Sequence, residues 1–205
     1  IEELAKIGAS GPGFAVHSDI VAPYLINYSS DTQKKEYLPK MVKGEIITAI
    51  AMTEPGTGSD LQNIKTKATV KENNIILNGS KTFITNGQNA NLVLVIAKTD
   101  STKKAKGISI VLCEDYRKGF EKGKNLKKIG MQAQDTSELF FHDVELPIEN
   151  ILGQSGQGFG QLMDELPQER LSIAVTAIAA AESALDWTIS YTKAVSYTHL
   201  RAHET

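Results

Sequence analysis

The stretch 45–145 consists of short apolar segments separated by turns, and this pattern restricts the possible folds more than any other feature of the sequence. No helical repeat of about ten residues lies between the segments, which argues against βαβ units and a parallel sheet. Three residue pairs can supply the positive φ angles of tight hairpins: Asn73-Asn74, Asn78-Gly79 and Asn86-Gly87. The pattern predicts an antiparallel barrel or sandwich, with strands at 46–52, 65–70, 75–77, 81–85, 92–98, 108–112 and 137–144.

The residues before this stretch are predicted to be helical. Large apolar side chains recur at every fourth position and so share one helix face: Val16, Ile20, Tyr24 and Tyr28. Ser30 and Gln33 fit the N-terminal cap of a further helix, which is expected to stop near Gly44. Pro39 lies inside that helix and is expected to kink or divide it.

The residues after it are also predicted to be helical. Four glycines between 153 and 160 favour a flexible connection, and Pro167 fits the first position of a helix that runs to about Lys193. Apolar residues then follow at steps of three or four: Leu171, Ala174, Ile178, Ala181, Leu185 and Ile189. One helix cannot bury this stripe against itself, so the stripe requires helical neighbours.

Composition excludes several classes of function. The 22 basic and 24 acidic residues give a net charge of −2, which argues against a surface that binds nucleic acid. The single cysteine, Cys113, excludes an internal disulfide framework or a Cys-rich metal site and is expected to be an inert core residue. No aliphatic stretch approaches the roughly 20 residues of a membrane span, and no leader is visible, so a soluble protein is expected.

The last residues, 194–205, do not continue the helical pattern. His199 and His203 are four residues apart and could face one metal ion on a helix. The sequence offers no obvious third ligand, however. We therefore interpret 194–205 as a non-native tail and expect no metal site.

The residues with the clearest chemistry follow the first predicted strand. Pro55, Gly56 and Gly58 form a turn in which backbone N–H groups can converge on a phosphate or a ring carbonyl, and Ser59 adds a hydroxyl. The alternative is a plain glycine-rich connection. The spacing matches neither the P-loop nor the dinucleotide-binding pattern.

Several segments, in order, resemble the flavin-binding middle domain of the acyl-CoA dehydrogenase family. They are Ala-Met-Thr-Glu-Pro-Gly-Thr-Gly-Ser-Asp at 51–60, Asn-Gly-Ser-Lys-Thr-Phe-Ile-Thr-Asn-Gly at 78–87, Gly-Ile-Ser at 107–109 and Lys-Ile-Gly-Met-Gln-Ala-Gln-Asp-Thr at 128–136. The resemblance implies an α+β multi-domain fold with a central antiparallel β-barrel between two partial helical domains. The expected divisions are 1–48 for the N-terminal helical domain, 49–155 for the barrel, 156–193 for the C-terminal helical domain and 194–205 for the tail.

The resemblance also implies a set of binding residues. The flavin ring of FAD would lie against two segments: Ile50, Met52 and Thr53, and Phe83, Ile84 and Thr85. Thr53 and Thr85 would hydrogen-bond the flavin edge, while Gly58 and Ser59 would meet phosphate or the carrier of the substrate. The acyl-CoA substrate would contact Ser59, Ala105, Lys106, Pro167, Gln168, Glu169 and Arg170.

The catalytic candidate is Glu169, in Leu-Pro-Gln-Glu-Arg-Leu at 166–171. From the residues alone, a carboxylate in the first turn of a helix is ordinarily explained by the helix dipole, and Glu165 is an equal rival. The segment is similar to long-chain acyl-CoA dehydrogenases, and isovaleryl-type enzymes also place a Glu here. Arg170 would orient the substrate; the alternative is an ion pair with Glu165 or Asp164.

The resemblance implies an FAD-dependent dehydrogenase in fatty acid oxidation, which converts long-chain acyl-CoA to trans-2-enoyl-CoA. Electrons would pass to an electron-transferring flavoprotein. The full-length protein is expected to be a homotetramer or homodimer in the bacterial cytoplasm or the mitochondrial matrix. The alternatives are a branched-chain (isovaleryl-type) dehydrogenase, an acyl-CoA oxidase of the same fold, and a truncated, catalytically incompetent flavin-contact module.

Overall fold

The computed structural model describes residues 2–9 and 11–195. Within them, residues 11–169 form one compact unit, and residues 2–9 and 170–195 form another. The helices are α1 (Glu2–Lys6), α2 (Ala22–Tyr28), α3 (Asp31–Val42) and α4 (Gly158–Ala194), with a π-helical turn at Val16–Val21 before α2. The strands are β1 (Thr48–Ala51), β2 (Lys67–Lys71), β3 (Asn74–Thr85), β4 (Leu92–Lys98), β5 (Ile108–Glu114), β6 (Phe120–Asn125) and β7 (Thr136–Pro147).

The N-terminal helices follow the sequence pattern closely. Tyr24 is fully buried, and the other apolar residues of its predicted face pack around the same core. The cap of α3 is confirmed: the Gln33 N–H donates to Ser30 Oγ over 3.2 Å, and the Ser30 N–H donates to Gln33 Oε1 over 2.9 Å. Such a cap stabilises a helix by about 1 kcal/mol. Gly44, at φ +71°, follows the end of α3, as expected.

The expectation that Pro39 divides α3 is wrong. The helix is continuous from Asp31 to Val42, and the Lys43 N–H donates to the Pro39 carbonyl over 3.3 Å. A proline removes one N–H donor, but the flanking turns can keep their own hydrogen bonds.

The sheet is mixed rather than antiparallel, which corrects the expected topology. The order is β1-β4-β2-β3-β7-β6, with β5 on the other edge of β4. Both β1 and β2 pair with β4 in parallel, whereas the remaining pairs are antiparallel. The chain between β1 and β4 contains the β2–β3 hairpin, and this long connection allows a parallel pairing without an intervening helix.

The expected hairpin at Asn78-Gly79 is also wrong. Two predicted strands, 75–77 and 81–85, are one strand, β3, whose pairing with β7 shifts register at Gly79 and again between Lys81 and Ile84. A Cβ at Gly79 would lie 2.7 Å from the Thr66 Cα, so the close approach of two backbones requires a glycine there.

The two remaining Asn pairs behave differently from each other. Between β2 and β3 the positive φ belongs to Glu72 (+51°) rather than to Asn73 or Asn74. Asn86 does have a positive φ, +63°, but it follows β3 without joining it to β4 in a hairpin.

The core lies on both faces of β4, whose residues Leu92–Ala97 are all buried. Val93 and Val95 belong to a cluster formed with β3 and β7. Leu94 and Ile96 belong to a second cluster, which α2 and α3 cover. Because successive side chains alternate between the two faces, a strand with cores on both sides has a continuous apolar sequence. Cys113 lies in the first cluster, as expected.

Helix α4 begins earlier than predicted. It starts at Gly158, so Gly158 and Gly160 are helical and not part of a flexible connection, and Pro167 lies inside the helix rather than at its start. Further along α4, three residues of the predicted stripe are largely exposed: Leu171 (58%), Ile178 (63%) and Leu185 (58%). Residues 196–205, which contain most of the proposed tail and both of its histidines, lie outside the described residues.

Candidate functional site

The two segments predicted to hold a flat ring lie side by side. The Thr82 N–H donates to the Thr53 carbonyl over 2.9 Å, and Lys81 Nζ donates to the Met52 carbonyl over 3.0 Å. The end of β1 is thereby joined to the irregular part of β3. Both contacts are made by residues adjacent to the predicted Phe83–Thr85 segment.

The side chains next to the bulge in β3 differ in how far they are exposed. Phe83 has a φ of +58° and an exposed fraction of 66%, so its ring is turned away from the core. Thr85 is half-buried. The Ile84 side chain lies in the core with only 3% exposed, so its backbone is the part nearest to the surface of this segment.

A buried ion pair between Lys81 and Glu54 supports the contact between the two segments, and the sequence analysis did not predict it. Lys81 Nζ donates to Glu54 Oε1 over 2.9 Å, with 0% of the Lys81 and 5% of the Glu54 side chain exposed. The Glu54 carboxylate also accepts the N–H groups of Lys65 (2.6 Å) and Thr66 (3.0 Å). Both charged residues lie in the motif segments, but charge in a strand ordinarily indicates exposure.

The ionisation of this pair follows from its surroundings. Burial would raise the pKa of Glu54, but the charge of Lys81 and the donors on Thr66 and Lys65 outweigh it, and the pKa is lowered. Burial lowers the pKa of Lys81 to about 8, although Glu54 opposes that change. Lys81 thus reaches both the Met52 carbonyl and Glu54, and it fixes the backbone that leads into the glycine turn.

The glycine turn itself is open. Glu54 and Thr57 exchange two backbone hydrogen bonds around Pro55 and Gly56, of 2.9 and 3.1 Å. Gly58 is exposed, as is Ser59, and a Cβ on Gly58 would meet nothing within 4 Å. Packing among the described residues therefore does not require a glycine at position 58.

Two carboxylates of α4 face α2. Tyr24 donates its hydroxyl to Glu169 Oε1 over 2.7 Å, and Asn27 Nδ2 donates to Glu165 Oε1 over 2.7 Å. Each carboxylate residue is only 8% exposed. Glu169 lies about three turns into α4, so the first-turn dipole explanation is wrong for it. No local sequence pattern predicts the contact between Tyr24 and Glu169, because 145 residues separate them.

The other residues implied to contact substrate are more exposed. Pro167, Gln168 and Arg170 are exposed on α4. Ala105 and Lys106 lie in a single 3₁₀ turn before β5. They border a cavity of about 340 Å³ together with Tyr28, Gly156, Gln157, Phe159, Gly160, Gln161 and Asp164. Burial, together with Glu165 and Asp164, raises the pKa of Tyr28 to about 12.

Comparison with known protein families identifies the fold. The N-terminal domain of acyl-CoA dehydrogenase matches residues 1–45, and the middle domain of acyl-CoA dehydrogenase matches residues 49–144.

The chain belongs to the acyl-CoA dehydrogenase family.

Individual relatives agree with this assignment. The chain is 52% identical over 194 residues to the mitochondrial long-chain specific acyl-CoA dehydrogenase of Sus scrofa, covering 94% of this chain and 45% of the relative. It is 40% identical over 194 residues to the mitochondrial isovaleryl-CoA dehydrogenase of Pongo abelii, covering 93% and 46%. The crystal structure of an acyl-CoA dehydrogenase from Geobacillus kaustophilus superposes with a TM-score of 0.94 at 48% identity, covering 100% and 54%. The chain spans about half the length of the curated relatives it matches.

The acyl-CoA dehydrogenase family depends on FAD, and the residues of this chain fit a flat cofactor. Phe83 turns its ring out of the core, and the Gly58 backbone is open to close approach. Thr53 and Thr85, which are both half-buried, carry hydroxyl groups on the two joined segments. Within residues 2–9 and 11–195, no cluster of three or more His, Cys, Asp or Glu side chains could hold a metal ion. No helix in the described part of the chain is both long and apolar enough to cross a membrane.

Proposed function

We propose that this chain is part of an FAD-dependent acyl-CoA dehydrogenase, which forms a trans-2 double bond in a fatty acyl-CoA. The observation that carries the proposal is the Glu169 carboxylate, which is 8% exposed in the interior of α4 in a chain of this family. A carboxylate shielded from water is a stronger base toward a weakly acidic C–H group than a hydrated one.

Glu169 would remove the proton from the carbon next to the thioester carbonyl. The C–H electron pair moves toward the carbonyl oxygen, and the proton passes to a carboxylate oxygen of Glu169. Burial of Glu169 keeps bulk water from competing for that proton. The rival Glu165 is equally buried and lies one turn earlier, hydrogen-bonded to the Asn27 amide.

Met52, Thr53, Phe83 and Thr85 would hold FAD, with only the backbone of Ile84 contributing. When bound, FAD supplies the oxidised ring that accepts the β-hydride. The buried Lys81 keeps the Met52–Thr53 backbone beside β3, so the hydroxyls of Thr53 and Thr85 are held on adjacent segments. Ile50, which packs against the helix-covered core, would support the ring from behind.

Ala105 and Lys106, at the rim of the 340 Å³ cavity, would contact the CoA carrier, together with Ser59 at the open turn. Pro167, Gln168 and Arg170 would complete the substrate contacts. We propose a long-chain substrate, because identity is 52% to the long-chain enzyme and 40% to the isovaleryl enzyme. An electron-transferring flavoprotein would accept the electrons. The full-length protein would act as a homotetramer or homodimer, in a bacterial cytoplasm or in the mitochondrial matrix.

Replacing Glu169 tests the proposal. In the FAD-loaded full-length protein, Glu169→Gln should retain bound flavin but lose anaerobic flavin reduction by long-chain acyl-CoA by at least about 10³-fold, since the amide cannot accept the proton. Glu165→Gln is the matched control and should keep reduction within about tenfold. The opposite ranking of the two variants would transfer the role of base to Glu165.

A series of acyl-CoAs of graded length tests the substrate class. A kcat/KM that rises toward long chains supports the long-chain assignment, and a maximum at isovaleryl-CoA would replace it with the branched-chain alternative. Reoxidation of the reduced flavin by oxygen as fast as by electron-transferring flavoprotein would favour the oxidase alternative.

A further inference from the structure

The contact between Tyr24 and Glu169 joins α2 to the interior of α4. The Tyr24 side chain is fully buried, and its hydroxyl lies 2.7 Å from Glu169 Oε1. This distance is ordinary for a hydrogen bond from a hydroxyl to an oxygen acceptor. The proposed base therefore accepts a hydrogen bond from the Tyr24 hydroxyl, which takes no part in the proton transfer described above.

The Tyr24 phenol is kept in its donating form. Burial raises its pKa far above the ordinary tyrosine value, and the hydrogen bond to Glu169 raises it further. The phenol therefore retains its proton at every pH at which the protein would work. The phenol can therefore only donate to Glu169, and this hydrogen bond fixes the direction of the carboxylate oxygen that accepts it.

The two neighbouring acids of α4 each have their own donor on α2. Asn27, three residues after Tyr24, donates an amide N–H to Glu165, whereas Tyr24 donates a phenol O–H to Glu169. One face of α2 therefore donates a hydrogen bond to each of the two carboxylates. Of the two donors, Tyr24 is fully buried and Asn27 is exposed.

We propose that Tyr24 is a positioning residue that orients the Glu169 carboxylate for removal of the α-proton. This inference rests on the proposed function. In the step, the α C–H bond breaks, its electron pair moves into the enolate, and the proton passes to Glu169. Tyr24 keeps its own proton throughout and acts only through Glu169.

The test separates proton removal from hydride transfer. A 3-thiaacyl-CoA has sulfur in place of the β-carbon, so its α-proton can exchange with solvent deuterium, but no hydride can leave. With FAD-loaded full-length protein in D₂O, mass spectrometry measures this exchange. We expect Tyr24→Phe to slow exchange, and kcat with normal acyl-CoA, by about tenfold or more, because the carboxylate loses the hydrogen bond that orients it toward the α-proton. KM should change by less than about twofold.

A second buried tyrosine provides the matched control. Tyr37 donates its hydroxyl to Glu114 Oε1 over 3.0 Å, and its side chain is 5% exposed. Tyr37→Phe removes the same kind of hydrogen bond from the same compact unit, so it should lower the thermal unfolding midpoint without changing the exchange rate. Equal exchange rates in Tyr24→Phe, Tyr37→Phe and the unsubstituted protein would overturn the inference and leave the proposed function standing.

Two unnatural residues at position 24 keep the inference testable if Tyr24→Phe does not fold. Both 4-methylphenylalanine and 4-aminophenylalanine fill the space of the hydroxyl, but only 4-aminophenylalanine can donate a hydrogen bond, through its N–H groups. Exchange that is restored by the amino side chain and not by the methyl side chain supports a positioning role. Equal exchange with both overturns it. Absence of exchange in the unsubstituted protein would instead overturn the proposed function, and the inference with it.

Discussion

At the scale of single residues, the Lys81–Glu54 pair shows what a buried charge does here. Neither residue touches solvent appreciably, and each satisfies the charge of the other. A buried pair gives little net stability compared with apolar residues of the same size, but removing one partner leaves an uncompensated charge. Lys81 also donates to the Met52 carbonyl, so the pair connects stability to the geometry of the segments proposed to hold the cofactor.

Glu54→Gln should therefore destabilise the full-length protein by about 3–5 kcal/mol at neutral pH and weaken FAD binding. The measurements are thermal unfolding and flavin retention on gel filtration. Glu45→Gln is the matched control, because Glu45 forms an exposed pair with Lys43 over 3.8 Å. That variant should change stability by less than about 1 kcal/mol. Similar losses in both variants would contradict the importance of the buried pair.

The lowered pKa of Glu54 predicts that the stability of the protein depends on pH. The pKa of Glu54 is lowered in the folded protein, so its contribution is fully present above the ordinary value of 4.5 and is lost as the pH falls through the lowered value. The unfolding midpoint of the unsubstituted protein should therefore fall more steeply below about pH 4.5 than that of Glu54→Gln. Parallel curves would show that other carboxylates dominate the acid response.

Sequence patterns identified part of the candidate site but not its supports. Met52, Thr53 and Phe83 were proposed from motif segments, and the structure places them on two joined segments. Tyr24 was predicted only as one of several apolar residues on a helix face. Its hydroxyl acquires a partner through the packing of α2 against α4, and no local pattern encodes a contact across 145 residues.

At the scale of secondary structure, the sequence pattern predicts an element well when most of its residues are buried. Strand β4 was predicted at its observed bounds, because apolar cores lie on both of its faces. Strand β6 was missed, because Phe-Glu-Lys-Gly-Lys-Asn is largely polar and none of its residues is fully buried. Pro167 was placed at a helix start because proline favours that position, yet α4 continues through it. The parallel partner of β1 depends on tertiary pairing, which local turn residues do not determine.

The cap of α3 provides a test at this scale. Ser30→Ala removes the hydroxyl that accepts the Gln33 N–H and should destabilise the protein by about 1 kcal/mol. The preceding Ser29 is the matched control: its buried Oγ has no hydrogen-bond partner among the described residues. Ser29→Ala should be neutral or slightly stabilising. Chemical denaturation measures both, and an equal loss in the two variants would contradict the capping role.

At the scale of the whole molecule, the apolar stripe of α4 remains largely exposed among the described residues. Leu171, Ile178 and Leu185 are each more than half exposed. Contiguous apolar surface of this kind usually marks an interface. In a protein of the length of its relatives, of which this chain spans about half, we expect further helices to cover the stripe.

If further helices cover the stripe, the same substitutions should have opposite effects in the 205-residue polypeptide and in the full-length protein. Changing Leu171, Ile178 and Leu185 together to Gln should reduce hydrophobic-dye binding and self-association of the 205-residue polypeptide, because it removes exposed apolar surface. In the full-length protein the same change should destabilise by about 1.5–3 kcal/mol per residue, because those side chains would be buried. Asp186→Asn with Lys193→Gln is the control on exposed positions of the same helix and should do neither. A full-length protein that tolerates the triple change would show that its helices do not cover this face.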